Sequence, residues 1–277
     1  MAAVKKIDKH SMLVRTLSGA GLTVVILGMY LLGEWTWFAG TCLISVLGLF
    51  EFYRLFGIEK KPVGITGFAA CAAYFILTAL HRYDLCIHVF LIFFLVLAAV
   101  YVLRFEKTSL EEVFSAFFGF FYVPVMLSFM YRVRVMPDGQ YLVILIFLGS
   151  WICDTFAYFT GVLFGKHKMA PVLSPKKSVE GAVGGLLGAA LSGVIYGLIL
   201  GTRLTSFPNP ALAFGVTAFL AGIVSMAGDL LASAFKRVKG VKDYSRLIPG
   251  HGGILDRFDS IITVAPMIFI AAGFFAK

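Results

Sequence analysis

The sequence predicts an all-α fold: a polytopic integral membrane helical bundle of about nine transmembrane helices, with the N-terminus cytoplasmic. Three observations predict it. Sixty per cent of the 277 residues are hydrophobic and 14% are charged, and the mean hydropathy is +0.91. A water-soluble fold of this length could not cover so much apolar surface, whereas in a bilayer lipid is the solvent. Apolar runs of roughly 20 residues, enough to cross ~30 Å of hydrocarbon at helical rise, recur from end to end. Finally, 19 of the 24 lysines and arginines fall on one side of the alternating loops, leaving Arg82, Arg132, Arg134, Arg203 and Lys277 on the other. That bias puts the N-terminus and the basic loops inside and the C-terminus outside.

The first run, 14–33, follows Lys5, Lys6, Lys9 and Arg15, which resembles the basic front of a signal peptide. No small-residue cleavage site stands out and another run follows at once, so a retained span is expected. The others are 35–57, 63–81, 85–103, 110–131, 141–165, 179–201, 211–235 and 260–276. Trp35, Trp37, Tyr53, Tyr101 and Tyr141 stand near run ends, where amphipathic rings anchor at the interface. In the seventh run, EGAVGGLLGAALSG, the pairs Gly181/Gly185 and Gly184/Gly188 read as tight helix packing rather than as a nucleotide loop. Cys42, Cys71, Cys86 and Cys153 lie in apolar runs without metal-ligand spacing and read as small core residues, outside any disulfide framework. The net charge of +9 follows from topology and needs no nucleic acid as partner. Linkers are short and no repeat appears. Residues 1–135 are expected to be scaffold helices with lipid access, and 136–277 the half that forms the catalytic site.

Charge inside the apolar runs marks that site. An aspartate at mid-bilayer costs ~2.5–3.5 kcal/mol on insertion scales. Asp154 lies well within the sixth run, and Ser150, Asp154 and Tyr158 make a polar stripe at helical spacing. Asp229 lies within the eighth, with Ser225 and Ser233 on the same face and Lys236 and Arg237 a turn beyond. The structural alternative for each aspartate is a bond to a lysine or serine of a neighbouring helix. Asp256 and Asp259 are three apart and share a face if the ninth helix begins there. Carboxylates converging at a membrane surface suit a hard divalent cation such as magnesium, which takes one or two of them plus waters and substrate phosphates. Lys236, Arg237, Lys239, Lys242, Arg246 and Arg257 surround the acids. A metal alone needs no such cations; a phosphate-rich substrate bridging metal and protein needs both. A basic loop resting on lipid headgroups would explain the cations, though not the interleaved aspartates or Gly252-Gly253.

Gly250, Gly252 and Gly253 permit unusual backbone angles and close approach to a ligand. A second basic patch holds Lys166, Lys168, Lys176 and Lys177, with Ser174-Pro175 read as a turn. Ser178 and Glu180 mark the start of the seventh helix, where terminal amides can meet phosphate. Glu51 and Arg54 read as a structural i, i+3 pair. His251 suits an acid, a base or a phosphate donor, whereas His81, His88 and His167 show no partner pattern.

From Ser233 to Asp259 the chain resembles the signature of the phosphatidate cytidylyltransferases, or CDP-diacylglycerol synthases. The resemblance is carried by Ser233, Phe235, Lys236-Arg237, Lys242-Asp243, Ser245, Ile248-Pro249, His251-Gly252-Gly253, Ile254 and Asp256-Arg257-Phe258-Asp259, without a departure. Upstream, LSPKKSVEG (173–181) is similar to the family's nucleotide-side loop. The resemblance implies that CTP and phosphatidic acid give CDP-diacylglycerol and pyrophosphate. It also implies magnesium with potassium as a second cation, a homodimer among membrane lipids, and a bacterial inner membrane with the site on the cytoplasmic side. The expected metal ligands are Asp229, Asp256 and Asp259. Lys236, Arg237, Arg257 and His251 join them as catalytic residues. Lys176, Lys177, Ser178, Asp154, Ser233, Lys242, Asp243, Gly252 and Gly253 are the expected substrate-binding residues. Two other readings share features. A CTP-dependent polyprenol or phytol-type lipid kinase would release CDP instead of pyrophosphate. A secondary transporter would use Asp154 and Asp229 for ion coupling, but it usually shows paired halves, which this chain lacks.

Overall fold

The computed structural model describes the backbone of residues 9–276, and the side chains of residues 16–276 apart from Thr202. Eleven helices follow in order: α1 (Lys9–Leu31), α2 (Glu34–Leu55), α3 (Pro62–Ala79), α4 (Cys86–Leu103), α5 (Leu110–Phe120), α6 (Met126–Arg134), α7 (Gly139–Phe147), α8 (Cys153–Phe164), α9 (Val179–Leu200), α10 (Pro210–Val238) and α11 (Leu255–Phe275). A hairpin of β1 (Lys168–Ala170) and β2 (Ser174–Ser178) joins α8 to α9. The fold is a polytopic membrane helical bundle. Among the described residues, eight helical segments are long and apolar enough to span, and a shorter apolar stretch, Thr16–Leu31, stands where the first run was expected.

Two spans are pairs of helices joined through a π turn. Phe121–Val125 links α5 to α6, and Leu148–Ile152 links α7 to α8. Pro124 sits inside the first turn, where its missing N–H does least harm. The second lies in front of Asp154 and breaks the expected stripe. Ser150 turns its hydroxyl onto the Ile146 carbonyl, whereas Asp154 and Tyr158 line a cavity. Helix starts follow the sequence: Ser109, Ser178 and Asn209 each accept the N–H three residues on, and Pro62 and Pro210 stand in first turns. Outward faces are greasy. On α4, Ile87, Leu91, Phe94 and Leu95 are exposed, as lipid as solvent requires.

The glycines of α9 serve packing within the chain. A Cβ on Gly185 would lie 2.8 Å from the Cys153 carbonyl of α8, and Gly193 and Gly197 face α10 at Phe214 and Pro210 with no room for one. The bundle then gathers alternate loops at its two ends. At one end Lys61 pairs with Glu112 at 2.6 Å and Lys239 with Glu111 at 2.7 Å, next to the residue 236–257 segment. At the other, Asp138 accepts from the amides of Thr205 and Ser206, and Arg132 donates to the Tyr74 hydroxyl at 3.0 Å. The basic loops therefore share one end, as alternating spans demand.

Candidate active site

α8, α9, α10 and α11 bring the charged residues together. α10 carries Asp229, Ser233, Lys236 and Arg237. α11 starts at Leu255, five residues before the expected run, and so places Asp256 and Asp259 on its first turns. The β1–β2 hairpin brings in the lysines. Its turn lies at Pro171–Leu173, not at Ser174-Pro175, which belong to β2. Strand alternation leaves Lys176 exposed and turns Lys177 inward to pair with Asp229.

Asp154, Asp229 and Asp259 lie within charge–charge range of one another, with Lys177 and Lys236 as the cations among them. Two cavities lie beside them. One, of about 520 Å³, is lined by Asp154, Asp229, Lys176, Lys177, Ser178 and apolar groups such as Val162 and Met226. The other, of about 330 Å³, is lined by Asp154, Asp256, Asp259, Arg257 and His251. Asp154 borders both. His251 and Arg257 also border a third basin of about 720 Å³, where Lys242, Asp243, Arg246 and Gly252 stand. Shared lining residues thus set three cavities side by side: one with apolar groups and lysines between α8 and α9, one over the aspartates, and a basic one along the signature loop.

Asp256 is held more tightly than a free ligand would be. Oδ1 accepts from Lys236 Nζ at 2.7 Å; Oδ2 accepts from the amides of Tyr244 at 2.8 Å and Gly253 at 2.9 Å. A carboxylate has about four lone-pair sites, so one stays open. Lys236 also lies 5.2 Å from the Tyr244 ring centroid. Burial pushes the Tyr244 phenol well above its ordinary pKa, so it stays a neutral donor, to the Ala232 carbonyl at 3.3 Å. Ser233 donates to Asp229 at 3.5 Å. Gly252 has φ +88°, which only glycine adopts readily. Ser18 of α1 meets His251 Nδ1 at 2.7 Å.

Not every expected residue arrives. Arg237 is exposed and donates to the Val241 carbonyl one turn on. Gly253 faces the Glu51 carboxylate instead of open space. Glu51 itself overturns the Glu51–Arg54 pairing: it is 3% exposed and takes hydrogen bonds from Ser245, Ile254 and Leu255. Arg54, three residues on, had supplied a plausible partner and so masked this role. His167, expected to lack a partner, meets Glu180 at 2.6 Å, which also accepts the Lys166 and His167 amides.

A divalent cation can be tested against these groups. Among the described residues no three carboxylate, imidazole or thiol groups converge closely enough to hold a metal alone. The buried hydroxyls of Tyr122 and Ser225 and Nε of Arg257 have no hydrogen-bond partner among the described residues. Tyr122 is within charge range of Asp229 and Asp259, and Ser225 stands one turn before Asp229. The carboxylates and orphaned hydroxyls are oxygen donors of the kind a hard cation takes, completed by water and phosphate oxygens, while Lys177 on Asp229 and Lys236 on Asp256 hold part of that donor set.

A model described as the cytidylyltransferase family matches residues 13–275. The chain belongs to that family. It is similar to a phosphatidate cytidylyltransferase of Staphylococcus haemolyticus (strain JCSC1435), with 33% identity over 264 residues, 94% of this chain and 98% of that protein. Phosphatidate cytidylyltransferases of Staphylococcus aureus (strain COL) and Staphylococcus saprophyticus subsp. saprophyticus match at higher identity over about half of each chain. The figures are 38% over 149 residues for the first and 39% over 147 for the second. In this cytidylyltransferase, Ser233–Asp259 is one folded object: a helix end, a loop and a helix start beside an acidic centre with a basic rim.

Proposed function

We propose that this cytidylyltransferase is a nucleotidyltransferase that makes CDP-diacylglycerol from CTP and phosphatidate. The observation that carries the reading is the adjacency of three cavities: one where Asp229, Lys176 and Lys177 meet apolar groups such as Val162 and Met226, one over Asp154, Asp256 and Asp259, and one in the basic rim of the signature loop. An acyl-bearing phosphate and a soluble triphosphate need such a meeting place.

In the proposed reaction a phosphate oxygen of phosphatidate attacks the α-phosphorus of CTP. A new P–O bond forms, the bond to the bridging oxygen of the β-phosphate breaks, and pyrophosphate leaves with the electron pair. Attacking and leaving oxygens are both anionic, so no protein nucleophile or base is required; positioning and charge stabilisation supply the catalysis. Lys177, Lys176 and Arg257 border the cavities and neutralise phosphate charge, and Ser178 sets the α9 N-terminus beside them. Lys236 works through Asp256, which fixes the loop amides of Tyr244 and Gly253. One or two of the carboxylates Asp229, Asp256 and Asp259 would hold magnesium, with water and phosphate oxygens in the remaining places. Magnesium, when bound, supplies charge neutralisation across the phosphates.

The cytoplasmic face of a bacterial inner membrane is the proposed location, supported by the lysine and arginine bias and the bacterial relatives. A homodimer belongs to the same proposal; the glycine face of α9 is already filled within the chain and is not its seam. The test is detergent-purified protein with CTP, phosphatidate and magnesium. Pyrophosphate and lipid-linked cytidine are expected in equal amounts. CDP with a phosphorylated lipid alcohol would instead indicate a kinase, and no turnover would remove the reading.

A further inference from the structure

α11 begins without a cap of its own. Its N-cap residue is Ile254, which has no side-chain acceptor, yet the first N–H groups of any helix lack intrahelical partners and carry its positive end. The partner comes from α2. Glu51, 203 positions from Ile254 and 204 from Leu255, accepts the Ile254 amide on Oε1 at 3.0 Å and the Leu255 amide on Oε2 at 2.8 Å. Ser245 Oγ donates to the same Oε1 at 2.5 Å. We infer that Glu51 is a positioning residue of the reaction: a carboxylate that caps α11 from another helix and ties both ends of the signature loop, so fixing where Asp256, Arg257 and Asp259 stand. Its activity readout rests on the nucleotidyl-transfer reading above.

The neighbouring glycine supports this. A Cβ on Gly253 would fall 2.5 and 2.6 Å from the two Glu51 oxygens. Gly253 is therefore glycine because Glu51 is there, and the close approach first expected of a ligand is made by this carboxylate. Successive amides are divided between two acids: Gly253 goes to Asp256, and Ile254 and Leu255 go to Glu51. Asp256 and Asp259 ride on the turns that these bonds anchor, so any shift of that start moves both.

The test uses the full chain in detergent, with Glu51→Gln and Gly253→Ala singly and Glu51→Ala with and without Gly253→Ala. The Gln amide keeps one acceptor oxygen and sets an N–H₂ against donors. Glu51→Gln is expected to lower kcat for pyrophosphate release at least tenfold with KM for CTP within threefold. Amide exchange in a peptide covering 245–258 should speed up tenfold while peptides of α9 hold. Gly253→Ala is expected to cost as much alone, but less than a further twofold in the Glu51→Ala background, where its clash is gone. Retained kcat in Glu51→Gln, unchanged exchange, or additive losses would overturn the inference. So would a loss of kcat that only tracks the unfolded fraction. Should Glu51→Gln fail to fold, Ser245→Ala removes the 2.5 Å bond to Glu51, together with the one Ser245 Oγ accepts from the Leu247 amide at 3.1 Å, and is expected to lower kcat about threefold; full activity there would overturn it too. If the wild type makes no CDP-diacylglycerol, the reaction reading fails, while exchange and the coupling in melting temperature still decide the role of Glu51.

Discussion

Replacing Asp256 by Asn separates structure from chemistry at the centre of the site. In the native chain Lys236 Nζ and Asp256 Oδ1 are 2.7 Å apart, with side chains 10% and 3% exposed. The substitution removes the negative charge but leaves the buried ammonium. Whichever way the amide turns, its N–H₂ confronts either Lys236 or the amides of Tyr244 and Gly253. Breaking one side of a buried pair costs about 3–5 kcal/mol. At roughly 2–4 °C per kcal/mol for a chain of this size, the melting temperature should fall by about 6–20 °C. Adding Lys236→Met removes the orphaned charge and should restore more than half of that loss, because an apolar pair of similar volume tolerates burial. Activity should behave differently. Pyrophosphate release in phosphatidate–detergent micelles should stay at least ~100-fold down in both variants, since a group that orders a phosphate-binding loop acts on the transition state as well. A melting temperature within ~2 °C of wild type for Asp256→Asn would refute the buried-pair reasoning. Activity that returned with stability in the double variant would remove Asp256 from the chemistry.

The remaining predictions are narrower. Lys177→Met should lower kcat/KM for CTP by roughly 100-fold with little change in melting temperature, because the pair with Asp229 is about a quarter exposed on each side (23% and 26%); unchanged steady-state kinetics would count against it. Gly252→Ala forces a left-handed residue at φ +88° and sets a Cβ 2.8 Å from Asp256 Oδ2, so a loss of at least ~1–2 kcal/mol is expected in thermal melts. Ser178→Ala deletes the α9 cap and should cost about 1 kcal/mol, read the same way. Arg132→Ala, at the opposite end, loses the Tyr74 bond at 3.0 Å and the face of Tyr83 at 4.6 Å. It should lower the melting temperature while kcat per folded molecule stays within twofold.

The lipid-facing greasiness, the spans and the basic end of the bundle were legible in the sequence because they depend on local quantities: run length, hydropathy and the alternation of charged loops. The acidic centre was half legible. Asp154 and Asp229 stand out as charges within apolar runs, and Asp256 with Asp259 by their spacing, since a buried carboxylate is costly wherever the chain later goes. Which oxygen faces which partner was not legible. Asp256 is committed to Lys236 and two amides, and Asp154 faces two cavities past a π turn that shifts the helical register. Arg237 matches the signature in sequence yet turns to its own helix end. Glu51 shows the limit most clearly. In sequence it has Arg54 one turn away, an adequate local partner; in the fold its donors lie 194 to 204 positions distant. Hydrophobic period and charge placement are written along one helix at a time, and they determined that this chain is a membrane bundle with a phosphate-handling end. The pairing of a carboxylate with amides of a helix about three-quarters of the chain away depends on how α2 and α11 pack, and only the tertiary structure decided that.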